Sequence, residues 1–132
     1  MTSGTIDQIK IGHVLRYVYL FKSDAAAGRD EGVKERPVVV LHVDHTSQRV
    51  YVLPETTKGD GKPGAIPLPA EVASACGLAP QSCILVTEYN HFKWLGFDIR
   101  PVGEGYIAGR LPPGFTAKIR ALAAGAKGID RD

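Results

Sequence analysis

The sequence predicts a mainly β protein with helical additions: a compact antiparallel barrel carrying a short internal helix and a C-terminal helix. Three observations lead there. Five or six short runs rich in valine, isoleucine and aromatics are spread along the 132 residues, and such runs fit a pleated, half-buried surface. They never alternate with long helical patterns, which argues against a doubly wound sheet. The length suits one domain able to bury a core without metals or disulfides. Residues 1–132 are therefore read as a single domain, with loose ends at 1–10 and 126–132.

His13 to Phe21 carries one strongly polar residue, Arg16, and reads as a strand buried on both faces. Lys22 to Glu35 is polar and contains Gly28 and Gly32, so it reads as a loop long enough to be functional. Arg36 to Asp44 is the strongest strand, with Pro37 at its start where no ladder bond need be lost. A polar turn at 45–48 and the run Arg49 to Leu53 complete a hairpin. Pro54 is expected to end that ladder, leaving Thr56 and Thr57 just past the strand, and 58–64 is loop. Ile66 to Leu68 is a short strand, and Pro69 to Cys76 a short helix stopped by Gly77. Cys83 to Asn90 reads as one further strand, with Glu88 and Asn90 on the face of Ile84 and Val86. Phe97 to Val102 alternates, placing Asp98 and Arg100 opposite Phe97 and Ile99. Phe115, Ile119 and Leu122 recur at helical spacing within a helix over 112–124.

A formal charge of +2 does not announce a nucleic-acid binder, although it permits one where positive charge is concentrated locally. From Arg110 onward the chain holds five Lys/Arg against two Asp, the pattern of a solvated tail or of a binding one. Cys76 and Cys83 match no zinc spacing and read as small buried hydrophobes. No apolar stretch approaches the roughly 18 residues of a membrane span, and the N-terminus carries no secretory pattern, so a cytoplasmic protein without membrane association is expected. There is no glycine-rich phosphate loop, no nucleophile elbow and no zincin motif, and the four histidines lack ligand spacing. No metal or cofactor is expected.

Three places can carry chemistry. Arg36 stands where the polar loop enters the best strand; its planar fork suits a phosphate, or an ion pair with Glu31 or Glu35. Thr56 and Thr57 can bond a phosphate or cap a turn. The stretch from Glu88 to Arg100 interleaves His91, Phe92 and Trp94 with polar groups, which suits stacking on unpaired bases; equally, Phe92 and Trp94 can complete the core.

Together these places resemble a divergent branch of the PemK/MazF-like growth-inhibitor toxins, the RNA-cleaving halves of type II toxin–antitoxin pairs. Gly12 and the first strand lead to a long polar loop ending in Lys34, Glu35, Arg36 and Pro37 before Val38, Val39 and Val40. Val52 to Thr57, Ile84 to Glu88 and Gly109 to Leu111 supply the later steps, so the likeness spans roughly 10–125. It departs after Glu88, where Tyr89, Asn90, His91, Phe92, Lys93 and Trp94 replace the usual arginine-containing step. The resemblance implies an SH3-like barrel, a homodimer, and metal-independent cleavage of single-stranded RNA by 2′-OH attack on the adjacent phosphate. It implies a cognate antitoxin as protein partner. By position Arg36 and Thr56 would be catalytic, while Lys34, Thr57, Glu88, Asn90, His91 and Trp94 would bind substrate, with Glu88 or His91 as the local general base. The rival reading is a non-catalytic SH3-like barrel that binds RNA or a protein. Convergence of the Glu88–Trp94 polar groups on Arg36 and Thr56 favours the enzyme; their pointing away favours binding.

Overall fold

The structure, a computed structural model, describes residues 5–28, 34–59 and 61–132. Its elements are β1 (His13–Val18), α1 (Lys22–Ala26), β2 (Glu35–Asp44), β3 (Arg49–Thr56), β4 (Ala65–Pro67), α2 (Ala70–Ala75), β5 (Cys83–Leu85), β6 (Glu88–Lys93), β7 (Ile99–Arg100), β8 (Ile107–Arg110), α3 (Pro113–Leu122) and β9 (Lys127–Asp130), with 3-10 turns at Ile6–Gln8 and Ala123–Gly125. β6, β3, β2 and β1 lie side by side; β1 continues to β7 and β8, and the far end of β3 passes to β5 and β4. All pairings between strands are antiparallel except β6 with β9. The mainly antiparallel sheet with its C-terminal helix is the architecture the sequence predicts.

The central strands read as continuous apolar runs because both of their faces are covered. Leu15, Tyr17, Val38, Val40, Val50, Val52 and Phe92 fill one core, closed by Ile6, Ile9 and Tyr19. Their chain neighbours Val14, Val39 and Leu53 point the other way, onto Ala73 of α2 and Ile119 of α3. Each fully buried aliphatic or aromatic side chain contributes about 1.5–3 kcal/mol, and strands covered on both faces lose their polar alternation. A bulge between Val40 and His42 resets the alternation, so Val43 rejoins the first core while His42 faces solvent.

Several elements differ from expectation. Pro54 does not end the ladder: it pairs with Val38 inside β3. It stands where β3 has left β6 and not yet reached β5, so its missing N–H falls between two ladders. The run from Cys83 to Asn90 breaks at Val86–Thr87, which sends Ile84 and Val86 to one core and Asn90 and Phe92 to the other face. β7 is only two residues long, and Phe97 is fully exposed at 101% while Ile99 is buried. Lys22–Ala26 is a turn of helix within the expected loop, whose residues 29–33 lie outside the described residues. Neither end is loose where it is described: Ile6 and Ile9 are core, and β9 lies beside β6, followed by Arg131, whose side chain is 4% exposed. Residues 1–4 lie outside the described residues. Cys76 and Cys83 are both buried and not joined in a disulfide, and burial pushes the Cys76 thiol up from its ordinary value.

Gly12 turns the chain into β1 with φ of +90°, and a Cβ there would sit 2.8 Å from Thr116 Oγ1. Its N–H bonds Val40 and its carbonyl accepts from Leu111, so the backbone has no freedom to move aside. Gly12→Ala is expected to destabilise by about 2 kcal/mol, read as a lower urea midpoint with unchanged slope. His13 Nδ1 accepts the Lys10 N–H at 2.9 Å, and burial, with Arg110 and Lys10 nearby, lowers its pKa below 6.5. The folded state therefore binds this proton less readily than the unfolded chain. Stability from this site is present above about pH 6.5 and is lost as pH falls below it. His13→Gln should flatten that part of the curve of melting temperature against pH.

Candidate functional site

Functional side chains gather where β2 and β3 leave the sheet. Pairing sets Val38 opposite Pro54, and the same register two residues on brings Arg36 level with Thr56. β1 lies on the other side, with Arg16 opposite Pro37. Between them opens a cavity of about 260 Å³ lined by Arg16, Lys34, Arg36, Thr56, Thr57 and Lys58, together with Glu35, Pro37 and Glu55. Of its two carboxylates, Glu35 accepts from Arg16 Nε at 2.8 Å, and buried Glu55 turns away to accept from Ser82 Oγ at 2.6 Å. Among the described residues four cationic side chains thus line a cavity in which a single carboxylate faces solvent, and a concave cationic wall concentrates anions.

Arg36 is held without being neutralised by a described carboxylate. Its guanidinium lies 4.6 Å over the Phe21 ring, a cation–π contact, and Nη1 makes one long bond to the Glu55 carbonyl at 3.4 Å. Nε is buried with no hydrogen-bond partner among the described residues. An ion pair with Glu35 does not form, since that carboxylate is engaged with Arg16; Glu31 lies outside the described residues. Buried donors in native proteins are nearly always paired, so Arg36 presents unmet hydrogen-bonding capacity beside the cavity. Thr56 Oγ1 accepts the Lys58 N–H at 3.1 Å, the turn-capping role, and this leaves its hydroxyl proton to donate elsewhere.

Lys34, Arg36, Thr56 and Thr57 are thereby brought together, while Glu88, Asn90, His91 and Trp94 do not line this cavity. Glu88 Oε1 accepts from the Tyr19 hydroxyl and from the Lys22 N–H. Burial, reinforced by the Glu88 charge, raises the Tyr19 pKa and keeps that phenol a donor. Asn90 is wholly buried; it donates to the Leu20 carbonyl and accepts the Leu20 N–H, both at 2.9 Å. His91 stacks on Tyr51 at 5.1 Å on the outer face, and its Nδ1 accepts from Arg49. Burial and Arg49 lower its pKa. Trp94 packs against Phe92 and Tyr106, completing the core. Glu88 and Asn90 therefore act on the cavity at one remove: they fix Leu20 and Lys22, and Phe21 between them carries Arg36.

Sequence reasoning passed over Arg16, Lys58 and Glu35 as site residues. Arg16 had a signal, being the one strongly polar residue in an otherwise apolar strand. Phe21 and Arg131 had none, because their roles arise only from long-range contacts. The Arg131 guanidinium donates to Asp98 at 2.6 Å, Val18 O at 2.9 Å and Asn90 Oδ1 at 3.1 Å, linking the chain's last residues to the same amide.

The fold and site define an antiparallel barrel with a cationic cavity at one strand end. No protein-family model matches the sequence, and no curated protein does. Among solved structures, the chain is similar to one in the crystal structure of MazE–MazF (Form-III) from Deinococcus radiodurans, with a TM-score of 0.60. The alignment covers 87% of this chain and 92% of that one at 17% identity, so it shows that the fold is MazF-like. Among the described residues no helix is long and apolar enough to cross a membrane.

Asn90→Leu removes the amide while keeping its bulk. It should destabilise by about 3 kcal/mol and abolish hydrogen-exchange protection at the Leu20 amide, leaving the Val38–Val40 amides protected.

Proposed function

We propose that the chain is a toxin-like, metal-independent endoribonuclease acting on single-stranded RNA. The observation that carries this reading is Arg36, paired with no carboxylate among the described residues and with its Nε buried and unpartnered there, inside a cavity that Lys34, Lys58 and Arg16 also line. The scissile phosphate would sit between Arg36 and the Thr56 hydroxyl. The ribose 2′-oxygen attacks phosphorus and the bond from phosphorus to the 5′-oxygen breaks, giving a cyclic phosphate and a free 5′-hydroxyl. Arg36 stabilises the charge of the phosphorane and donates a proton to the leaving oxygen. Glu35, the solvent-facing carboxylate of the cavity, takes the 2′-OH proton; Glu88 and His91 are engaged elsewhere. Phosphoryl transfer asks mainly for positioning and charge stabilisation, which this set of side chains can supply. A second copy of the chain and a cognate antitoxin are the protein partners that go with this reading.

The rival reading, a non-catalytic barrel that binds RNA or a protein, draws on a specific observation too. The polar groups from Glu88 to Trp94 point to Leu20, Lys22 and Arg49 rather than into the cavity.

Incubation with mixed-sequence RNA in EDTA separates the two. Cleavage leaving cyclic-phosphate ends is expected, and Arg36→Ala should slow it by about 10²–10³-fold. Binding without new ends would leave the rival standing.

A further inference from the structure

A second concave cationic surface lies at the opposite end of β1 from the Arg36 cavity. The chain entering β1 at Ile11, the end of β8 at Arg110 and the flank of α3 enclose a cavity of about 220 Å³. Its lining is largely apolar, from Ile11, Leu111, Pro113 and Ala117, and the exposed Arg110 and Arg120 border it. Pro113, Ala117 and Arg120 share one stripe of the helix, three and four residues apart. Arg120 Nε donates to the Leu41 carbonyl at 3.0 Å, which ties the guanidinium by one nitrogen and leaves two for a ligand. The Thr116 hydroxyl in the wall is engaged with the Pro112 carbonyl, also at 3.0 Å. Among the described residues no carboxylate lines the cavity, and residues 106–129 contain none at all. His13, opposite Arg110 across the β1–β8 pair, registers the field: after burial, Arg110 and Lys10 are what hold its proton affinity down.

We propose that this cavity binds a small organic carboxylate with an apolar body, a short-chain or branched acid, independently of any action on RNA. A guanidinium meets a carboxylate through two parallel N–H bonds, and Arg120 keeps two terminal nitrogens for them. The body of the acid would cover the Ile11, Leu111 and Ala117 surfaces and take them out of water. The alternatives match only half of the site. A bare phosphate would satisfy the arginines and leave the apolar lining wet. An uncharged alcohol would cover the lining and leave both guanidinium groups unmatched. A nucleic-acid strand asks for cations spaced along a track, whereas here two arginines border one small apolar hollow.

The test titrates the full chain with hexanoate, hexanol and inorganic phosphate at neutral pH and constant ionic strength, read by melting temperature and by the NMR titration of His13. Hexanoate should raise the melting temperature. It should also raise the His13 pKa toward its ordinary value, since a carboxylate beside Arg110 offsets the charge that lowers it. Hexanol and phosphate should do neither. Arg110→Gln and Arg120→Gln should each weaken hexanoate binding by about tenfold or more. Ala117→Glu, which sets a carboxylate in the cavity, should abolish it, and Arg36→Ala should bind as wild type does. All three cavity positions are exposed, so these variants without ligand should melt close to wild type. A wild type that ignores hexanoate, or that responds equally to phosphate or hexanol, overturns the proposal. So does hexanoate binding that survives all three cavity variants or leaves the His13 titration unmoved. None of these results bears on RNA cleavage.

Discussion

The buried amide of Asn90 fixes where the first strand leaves the barrel. It engages both backbone groups of Leu20 as a neighbouring strand would, and its oxygen also accepts from Arg131. From that point Phe21 is carried beneath Arg36, and Glu88 takes the next backbone N–H, at Lys22. A fully buried amide has no water to fall back on, so these bonds must form together or each unpaired group incurs the penalty of desolvation. The same amide joins the chain's end to its beginning. Arg131, held by Asp98 and lying 5.5 Å from the Tyr17 ring, closes the barrel where β9 meets β6.

The cavity follows from this frame. β1, β2 and β3 are covered on both faces and leave little room for movement, so polar groups collect where the strands stop. Arg36 lies in line with the inward-facing Val38 and Val40, at the end where the core gives way to solvent. Phe21 covers the guanidinium without satisfying its donors. Glu35, the adjacent acid in the chain, lines the same cavity and is paired with Arg16. Pairing with Arg16 thus keeps the adjacent carboxylate from neutralising Arg36. Beyond Thr57, Gly59 packs against Cys83 and Ala65 so closely that its position leaves no room for a side chain.

Much of this was legible in the sequence, and the misses share one cause. The β2–β3 hairpin, α2 and α3 follow from local pattern and from Pro and Gly punctuation, and the grouping of Lys34, Arg36, Thr56 and Thr57 follows once the hairpin register is drawn. Pro54 misled because its effect on a ladder depends on which neighbour lies alongside, which no local rule reports. Glu88 and Asn90 look like site residues because they are polar groups ending an apolar strand. They point instead to the backbone of Leu20 and Lys22, just past β1 and about seventy positions away in the chain. His91 in β6 joins an outer aromatic stack, whereas Trp94, just past the end of β6, packs against the core.

By itself the sequence determined the class of fold, the strands buried on both faces, and the basic entry to β2. Periodicity and turn chemistry act over a few residues and can be read there. Tertiary structure alone decided that Arg36 would rest on Phe21, that Asn90 would hold a distant backbone, and that the C-terminal residues would become a strand. Those outcomes depend on which distant groups are brought within hydrogen-bonding reach when the barrel closes, and on burial making each unpaired polar group too costly to leave.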